Sequence, residues 1–297
     1  MGLFDKSVIF ILVLVMLFSG CVGQTTESVK NIITVSNLYV QNTQPLAGTT
    51  TLIEFEVAKK GRGTGDVIVN FFDPGLAVTG LKCQSPSVVQ GNSCVLKSMI
   101  NNDNRLVTAT LQAPSRQLIK SDTQYKVSYF IQHDYDSERT ATITVWDGSS
   151  ITKPKTTFTQ SSATDGPIVL EFSQPSSGTA EGSDVPYRKG VPFEMKVTVS
   201  NVGSGSIAPQ VIAPGRLTVS KENLRVAFAE GEALKCDFNE AGVTLISSTT
   251  ATLPATYTCY LVSSDAFTGY KTYTLSAHFT YTYQYSYTKV FTVLPTN

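Results

Sequence analysis

The chain has 297 residues, long for one β-sandwich and comfortable for two, and its 23 Lys+Arg balance 23 Asp+Glu to zero formal net charge. That balance excludes a nucleic-acid binder of the electrostatic kind, which needs a basic stripe to release phosphate counterions. Only 15% of residues are charged, and Ser, Thr and Tyr supply much of the polarity, a composition that suits half-exposed strands.

The first element is an apolar run, Val8 to Phe18, without a charged residue. It is short for a membrane span and fits the apolar core of an export leader. Ser19 and Gly20 then stand directly before Cys21. Leu17-Phe18-Ser19-Gly20-Cys21 resembles the lipobox of prokaryotic lipoproteins, and Gly20-Cys21-Val22-Gly23-Gln24 is most similar to archaeal ones. The resemblance implies a signal peptide over residues 1–20, a lipid on Cys21 and a body on the extracellular face of the cell membrane. A retained signal anchor or a plainly cleaved signal is the competing reading, and it also puts the body outside. Residues 21–30 read as a polar tether, and Val22 to Lys30 reach about 30 Å at full stretch.

A first β domain is expected over residues 31–147. Thr51, Ile53, Phe55 and Val57 alternate with Leu52, Glu54, Glu56 and Ala58, the period of a half-buried strand. Gly61-Arg62-Gly63-Thr64-Gly65 breaks it. Val67 to Phe72 is a second strand, stopped by the turn signal Asp73-Pro74-Gly75, and Arg105 to Gln112 is a third. Tyr125, Val127, Tyr129 and Ile131 alternate up to Asp134-Tyr135-Asp136-Ser137, after which Ala141, Ile143 and Val145 alternate with threonines. This predicts a hairpin with a polar tip at 134–137.

Residues 148–166, rich in Ser, Thr and Gly, read as a linker. The second domain, 167–297, retraces the first. An offset of 142 carries Val57 onto Val199, Gly61 onto Gly203 and Gly63 onto Gly205, while Leu81-Lys82-Cys83 matches Leu234-Lys235-Cys236. Tyr273 to Tyr283 and then Phe291 and Val293 predict a second closing hairpin with Tyr285 and Tyr287 near its tip. Evenly spaced short strands point to an all-β chain of two tandem β-sandwiches. Val197 to Gly205 resembles the opening of CARDB-like and related Ig-like modules common on archaeal cell surfaces, which implies an Ig-like fold and a surface setting but no activity.

Four cysteines remain after Cys21: Cys83, Cys94, Cys236 and Cys259. An even count in an exported chain points to disulfides, and four cysteines allow three pairings. Spacing favours Cys83 with Cys94 and Cys236 with Cys259. No C-x-x-C pair supports a metal.

No motif names a reaction. There are two histidines, His133 and His278, with no G-x-S-x-G or H-E-x-x-H around them. They are expected in related positions of the two hairpins. Asp134, Asp136 and Glu138 put carboxylates near a turn but lack the rest of a calcium loop. No catalytic residue, metal or cofactor is assigned. In the ladder Tyr281, Tyr283, Tyr285, Tyr287, the first two continue the apolar face and read as packing. Tyr285 and Tyr287 are candidates for partner contact. The expected function is a non-catalytic, membrane-anchored surface lipoprotein with a structural or protein-binding role. Its partners would be the membrane, through Cys21, and envelope proteins or glycans. The alternative is a solute- or glycan-binding accessory subunit of a surface complex.

Overall fold

The computed structural model describes residues 32–61, 64–149, 158–161, 163–173, 187–208, 216–220, 224–226, 243–244, 253–263 and 266–296. The expected leader, Cys21 and Cys236 lie outside them. Among the described residues there are strands and no helix. The first half supplies β1 (Ile33–Val40), β2 (Thr50–Lys59), β3 (Gly65–Pro74), β4 (Ala77–Cys83), β5 (Ser87–Gln90), β6 (Ser93–Met99), β7 (Asn104–Gln112) and β8 (Thr123–Trp146). The second supplies β9 (Phe158–Gln160), β10 (Ile168–Ser173), β11 (Tyr187–Arg188), β12 (Phe193–Asn201), β13 (Ser206–Ile207), β14 (Arg216–Ser220), β15 (Leu224–Val226), β16 (Val243–Thr244), β17 (Ala255–Ser263) and β18 (Tyr270–Val293).

Two four-stranded sheets repeat one plan: β1-β2-β7-β4 and β10-β12-β17-β15. A ten-stranded sheet runs β16-β14-β18-β8-β3-β6-β5, with β9 and β11 beside β8 and β13 beside β18. The period-two runs at 51–57 and 193–199 become β2 and β12 of the four-stranded sheets, while those of β3, β8 and β18 build the long sheet. Ile53, Phe55 and Val57 of β2 point inward, as do Met195, Val197 and Val199 of β12. Each such side chain contributes roughly 1.5–3 kcal/mol by leaving water.

The two expected hairpins are absent, and this corrects the sequence reading. β8 and β18 are each one strand of 24 residues. They pair antiparallel without interruption, from Thr123 opposite Val293 to Trp146 opposite Tyr270. At 3.3 Å per residue the ladder is about 80 Å long. The polar stretch Asp134-Tyr135-Asp136-Ser137 is not a turn. Asp134 and Asp136 point to solvent, while Tyr135 and Ser137 are buried, so the alternation simply continues. Tyr285 and Tyr287 likewise sit inside β18 rather than at a tip.

The inward face is the same along the whole ladder. Odd-numbered residues of both strands are buried almost throughout, from Val127 to Val145 and from Tyr273 to Val293. Both four-stranded sheets therefore cover one side of the long sheet. In the first half Phe55 of β2 stacks on Tyr129 of β8 with centroids 4.7 Å apart. In the second, the Ser263 hydroxyl of β17 bonds the Tyr273 hydroxyl of β18 at 2.9 Å. The outward face carries Ser, Thr and Gln pairs such as Gln132–Gln284.

Each long strand starts in its own half and finishes in the other. The end of β18 pairs with the start of β8, and Leu294 bridges Leu46 in parallel. The end of β8 bridges β11 in parallel, Trp146 to Arg188. Ala47 N–H donates to Leu294 O at 2.8 Å, and Lys189 N–H to Trp146 O at 2.7 Å. The offset of 142 carries Leu46 and Ala47 onto Arg188 and Lys189, so the exchange is reciprocal.

The Cys83–Cys94 disulfide is present and ties the end of β4 to β6, joining the four-stranded sheet to the long one. Cys259 is also disulfide-bonded, and its partner lies outside the described residues. Cys259 stands on β17, inside a four-stranded sheet, whereas Cys94 stands on the long sheet. The second cysteines of the two halves share chain order but not structural position.

Candidate functional site

Chemistry-bearing side chains concentrate at the middle of the ladder, where Asp134 and Tyr135 lie opposite Thr282 and Tyr281. On the inward face Tyr135 stacks on Tyr281, with centroids 5.5 Å apart and planes 10° apart. Tyr283 meets both edge-on, and Tyr285 packs against Tyr283 at 5.1 Å. Period two places these rings on one face, and the antiparallel register interleaves them with those of β8.

Two of the hydroxyls are tied to backbone. Ile168 N–H donates to Tyr281 Oη at 3.2 Å, and Ser137 Oγ donates to Ile168 O at 2.7 Å. Tyr283 Oη donates to Asn201 Oδ1 at 2.8 Å and accepts from Gly205 N–H at 2.9 Å. This explains the Asn201-Val202-Gly203-Ser204-Gly205 break. Asn201 also holds Gly203 N–H and Gly205 O, and a Cβ on Gly205 would collide with Gln284 O. Tyr135 Oη is buried, makes no well-formed hydrogen bond and has the Tyr285 hydroxyl as its neighbour. Burial drives the Tyr135 and Tyr281 hydroxyls well above the usual phenol range and pushes Tyr285 up to about 12.

His133 is the inward residue next to this cluster. Its ring meets Tyr135 edge-on at 4.8 Å. Nδ1–H donates to Asp66 O at 2.9 Å. The ring lies so close under the β3 backbone that a Cβ on Gly65 would fall 2.5 Å from its Cε1. Burial holds the imidazole below its ordinary pKa; the Asp66 carbonyl opposes this, and the Lys59 ammonium adds to it. Lys59 is itself buried, and desolvation lowers its pKa.

A cleft of about 450 Å³ opens beside His133 and Tyr135. Thr64, Gly65 and Asp66 form one wall; Asp134, Asp136 and Thr282 form the other. Asp66 is held below the usual carboxylate range by Lys97, whose Nζ lies 2.6 Å away, and by Ser98 N–H. Thr282 Oγ1 donates to Asp134 Oδ1.

The expected residues separate as follows. His133 points inward and is buried. His278 points outward, with Nε2 3.7 Å from Asp136 Oδ1, so the two histidines do not occupy related positions. Asp134, Asp136 and Glu138 project from the outer face of a straight strand. Among the described residues no three His, Cys, Asp or Glu side chains gather as a metal site. Tyr281 and Tyr283 are buried as expected. Tyr285 is only 5% exposed, and Tyr287 is half-buried and stacks on Tyr129 at 5.3 Å. An open tip is therefore corrected to an inward-facing core position.

The sequence reading passed over Lys59, the Gly65–His133 contact and the Phe72–Phe130 pair. Those two rings stack at 5.6 Å on the outer face, with Phe72 53% exposed. Period two over Val67 to Phe72 was the available signal for Phe72, because it puts Phe71 and Phe72 on opposite faces.

No protein-family model matches the chain, and no curated protein matches it.

Proposed function

We propose that this chain is a non-catalytic surface lipoprotein with a structural or protein-binding role in the cell envelope, held on the extracellular face of the membrane by a lipid on Cys21. The leader and the Ser19-Gly20-Cys21 junction support the anchor. The observation that carries the role is the uninterrupted β8–β18 ladder. A body braced end to end by one ladder keeps its shape and offers a fixed surface. In this reading each four-stranded sheet and the facing part of the long sheet form an Ig-like sandwich, CARDB-like in kind, and Cys236 pairs with Cys259.

The point of entry bears on how the tether would hold this body. Ile32 O accepts from Lys60 N–H, Ile33 pairs with Lys59, and Lys59 acts electrostatically on His133 at mid-ladder. The tether would then hold a bar of about 80 Å near its waist. Metabolic labelling with a lipid precursor tests the anchor. Label should enter the wild-type protein and not Cys21→Ser, and the variant should leave the membrane fraction. An unlabelled wild type overturns the reading.

A second reading, glycan binding by an accessory subunit, draws on the Phe72–Phe130 platform. Hydrogen-bonded Asn70–Ser93 and Gln132–Gln284 pairs lie beside it, and an exposed aromatic face amid amides suits a sugar ring. Glycan-array binding lost in Phe72→Ala would favour it; an array without signal would remove it.

A further inference from the structure

The cleft at mid-ladder corresponds to a position that the second half fills with a strand. There, Ser206 pairs with Gln284, Ile207 with Tyr283, and Ala208 N–H donates to Thr282 O at 2.9 Å. The offset of 142 carries Thr64, Gly65 and Asp66 onto those three residues. In the first half the matching ladder is not made. β3 begins to pair with β8 only at Val67 opposite His133. On that side the next contact among the described residues is Glu138 N–H to Thr164 Oγ1, at 2.9 Å. Glu138 and Thr140 turn their N–H groups to this side. Antiparallel alternation turns the backbone groups of Asp134 and Asp136 the same way. Between them and the Thr64–Asp66 segment lies the cleft of about 450 Å³.

We propose that this notch takes an extended peptide segment of a partner protein, added antiparallel to β8 as β13 is added to β18. The filled half defines the fit. Ile207, at the centre, packs against the core opposite Tyr283, so the central guest residue is apolar and faces Tyr135. The flanking guest residues point outward beside Asp134 and Asp136. Both carboxylates are exposed, which selects Lys or Arg at those two positions. Main-chain pairing supplies affinity and the alternating side chains supply specificity. The inference names the partner of the protein-binding role proposed above and rests on that reading.

The test uses the full chain in detergent and a fluorescent peptide, Gly-Lys-Val-Lys-Gly, read by polarisation. The peptide should bind with a dissociation constant on the order of 10–100 μM. A copy N-methylated at both lysines cannot donate to β8 and should bind at least about tenfold more weakly. Asp136→Lys should weaken the unmodified peptide by about tenfold or more. Its unfolding midpoint, taken in parallel, should match wild type. Equal binding of the methylated copy, an unaffected Asp136→Lys or no binding at about 1 mM overturns the proposal. Lipid labelling of Cys21 is scored separately. Peptide binding without lipid removes the anchor alone, and lipid without peptide binding removes the notch alone.

Discussion

Tyr135 and Tyr281 lie directly opposite each other at the middle of the two long strands, ring on ring at 5.5 Å. Their hydroxyls differ in one respect. Tyr281 Oη accepts from Ile168 N–H, and Tyr135 Oη makes no well-formed hydrogen bond. Removing each should therefore have a different effect. Tyr281→Phe leaves a buried N–H unpaired and should destabilise by about 1–3 kcal/mol. Tyr135→Phe removes only the looser contact with the Tyr285 hydroxyl and should cost less than Tyr281→Phe. Tyr281→Ala should cost about 3–5 kcal/mol through lost burial and a cavity. Urea unfolding of the three variants checks the order.

Stability should fall at both ends of the pH scale, for different groups. His133 has a folded pKa below its ordinary 6.5. The unfolded chain takes up that proton first, so stability is full above 6.5 and declines as pH drops through the window beneath it. Lys59, Asp66 and Asp134 all act on the ring, and His133→Asn should flatten this limb. The Tyr135, Tyr281 and Tyr285 hydroxyls have folded pKa values above their ordinary 10.0. Their contribution is full below 10 and is lost as pH rises beyond it. Unfolding midpoints in urea from pH 5 to pH 11 should trace both limbs.

Gly65 and His133 are coupled by close approach. Gly65→Ala drives a methyl group into the imidazole and should destabilise by about 1–3 kcal/mol. His133→Ala removes the obstacle, so the double variant should be less destabilised than the sum of the single ones. Strict additivity in a double-mutant cycle would contradict the contact.

The Cys83–Cys94 bond closes a loop with a sequence separation of 11. Chain entropy puts its contribution at about 3 kcal/mol. A Cys83→Ala, Cys94→Ala protein should lose about that much in urea, with the Cys259 disulfide intact by mass spectrometry.

Strands were legible wherever period two met a buried face, as in β2, β12 and the inward residues of β8 and β18. The short cysteine pair was legible because the two residues are only 11 apart in sequence. The hairpins were misread because solvent-facing Asp134 and Asp136 look the same in a turn as on the outer face of a continuing strand. Nothing local separates those cases. The difference lies in the partner: β18 satisfies the backbone of β8 through the polar stretch, and that pairing spans more than a hundred residues of sequence. The burial of Tyr285 follows from the same exchange.

The continuity of β8 through residues 134–137 is the claim on which the rest depends. Nitroxide labels at Lys126 and Thr142, both on the outer face, measure it by double electron–electron resonance. A continuous strand puts the backbone sites about 50 Å apart in a narrow distribution. A separation under about 20 Å, the span of a folded-back hairpin, would contradict it.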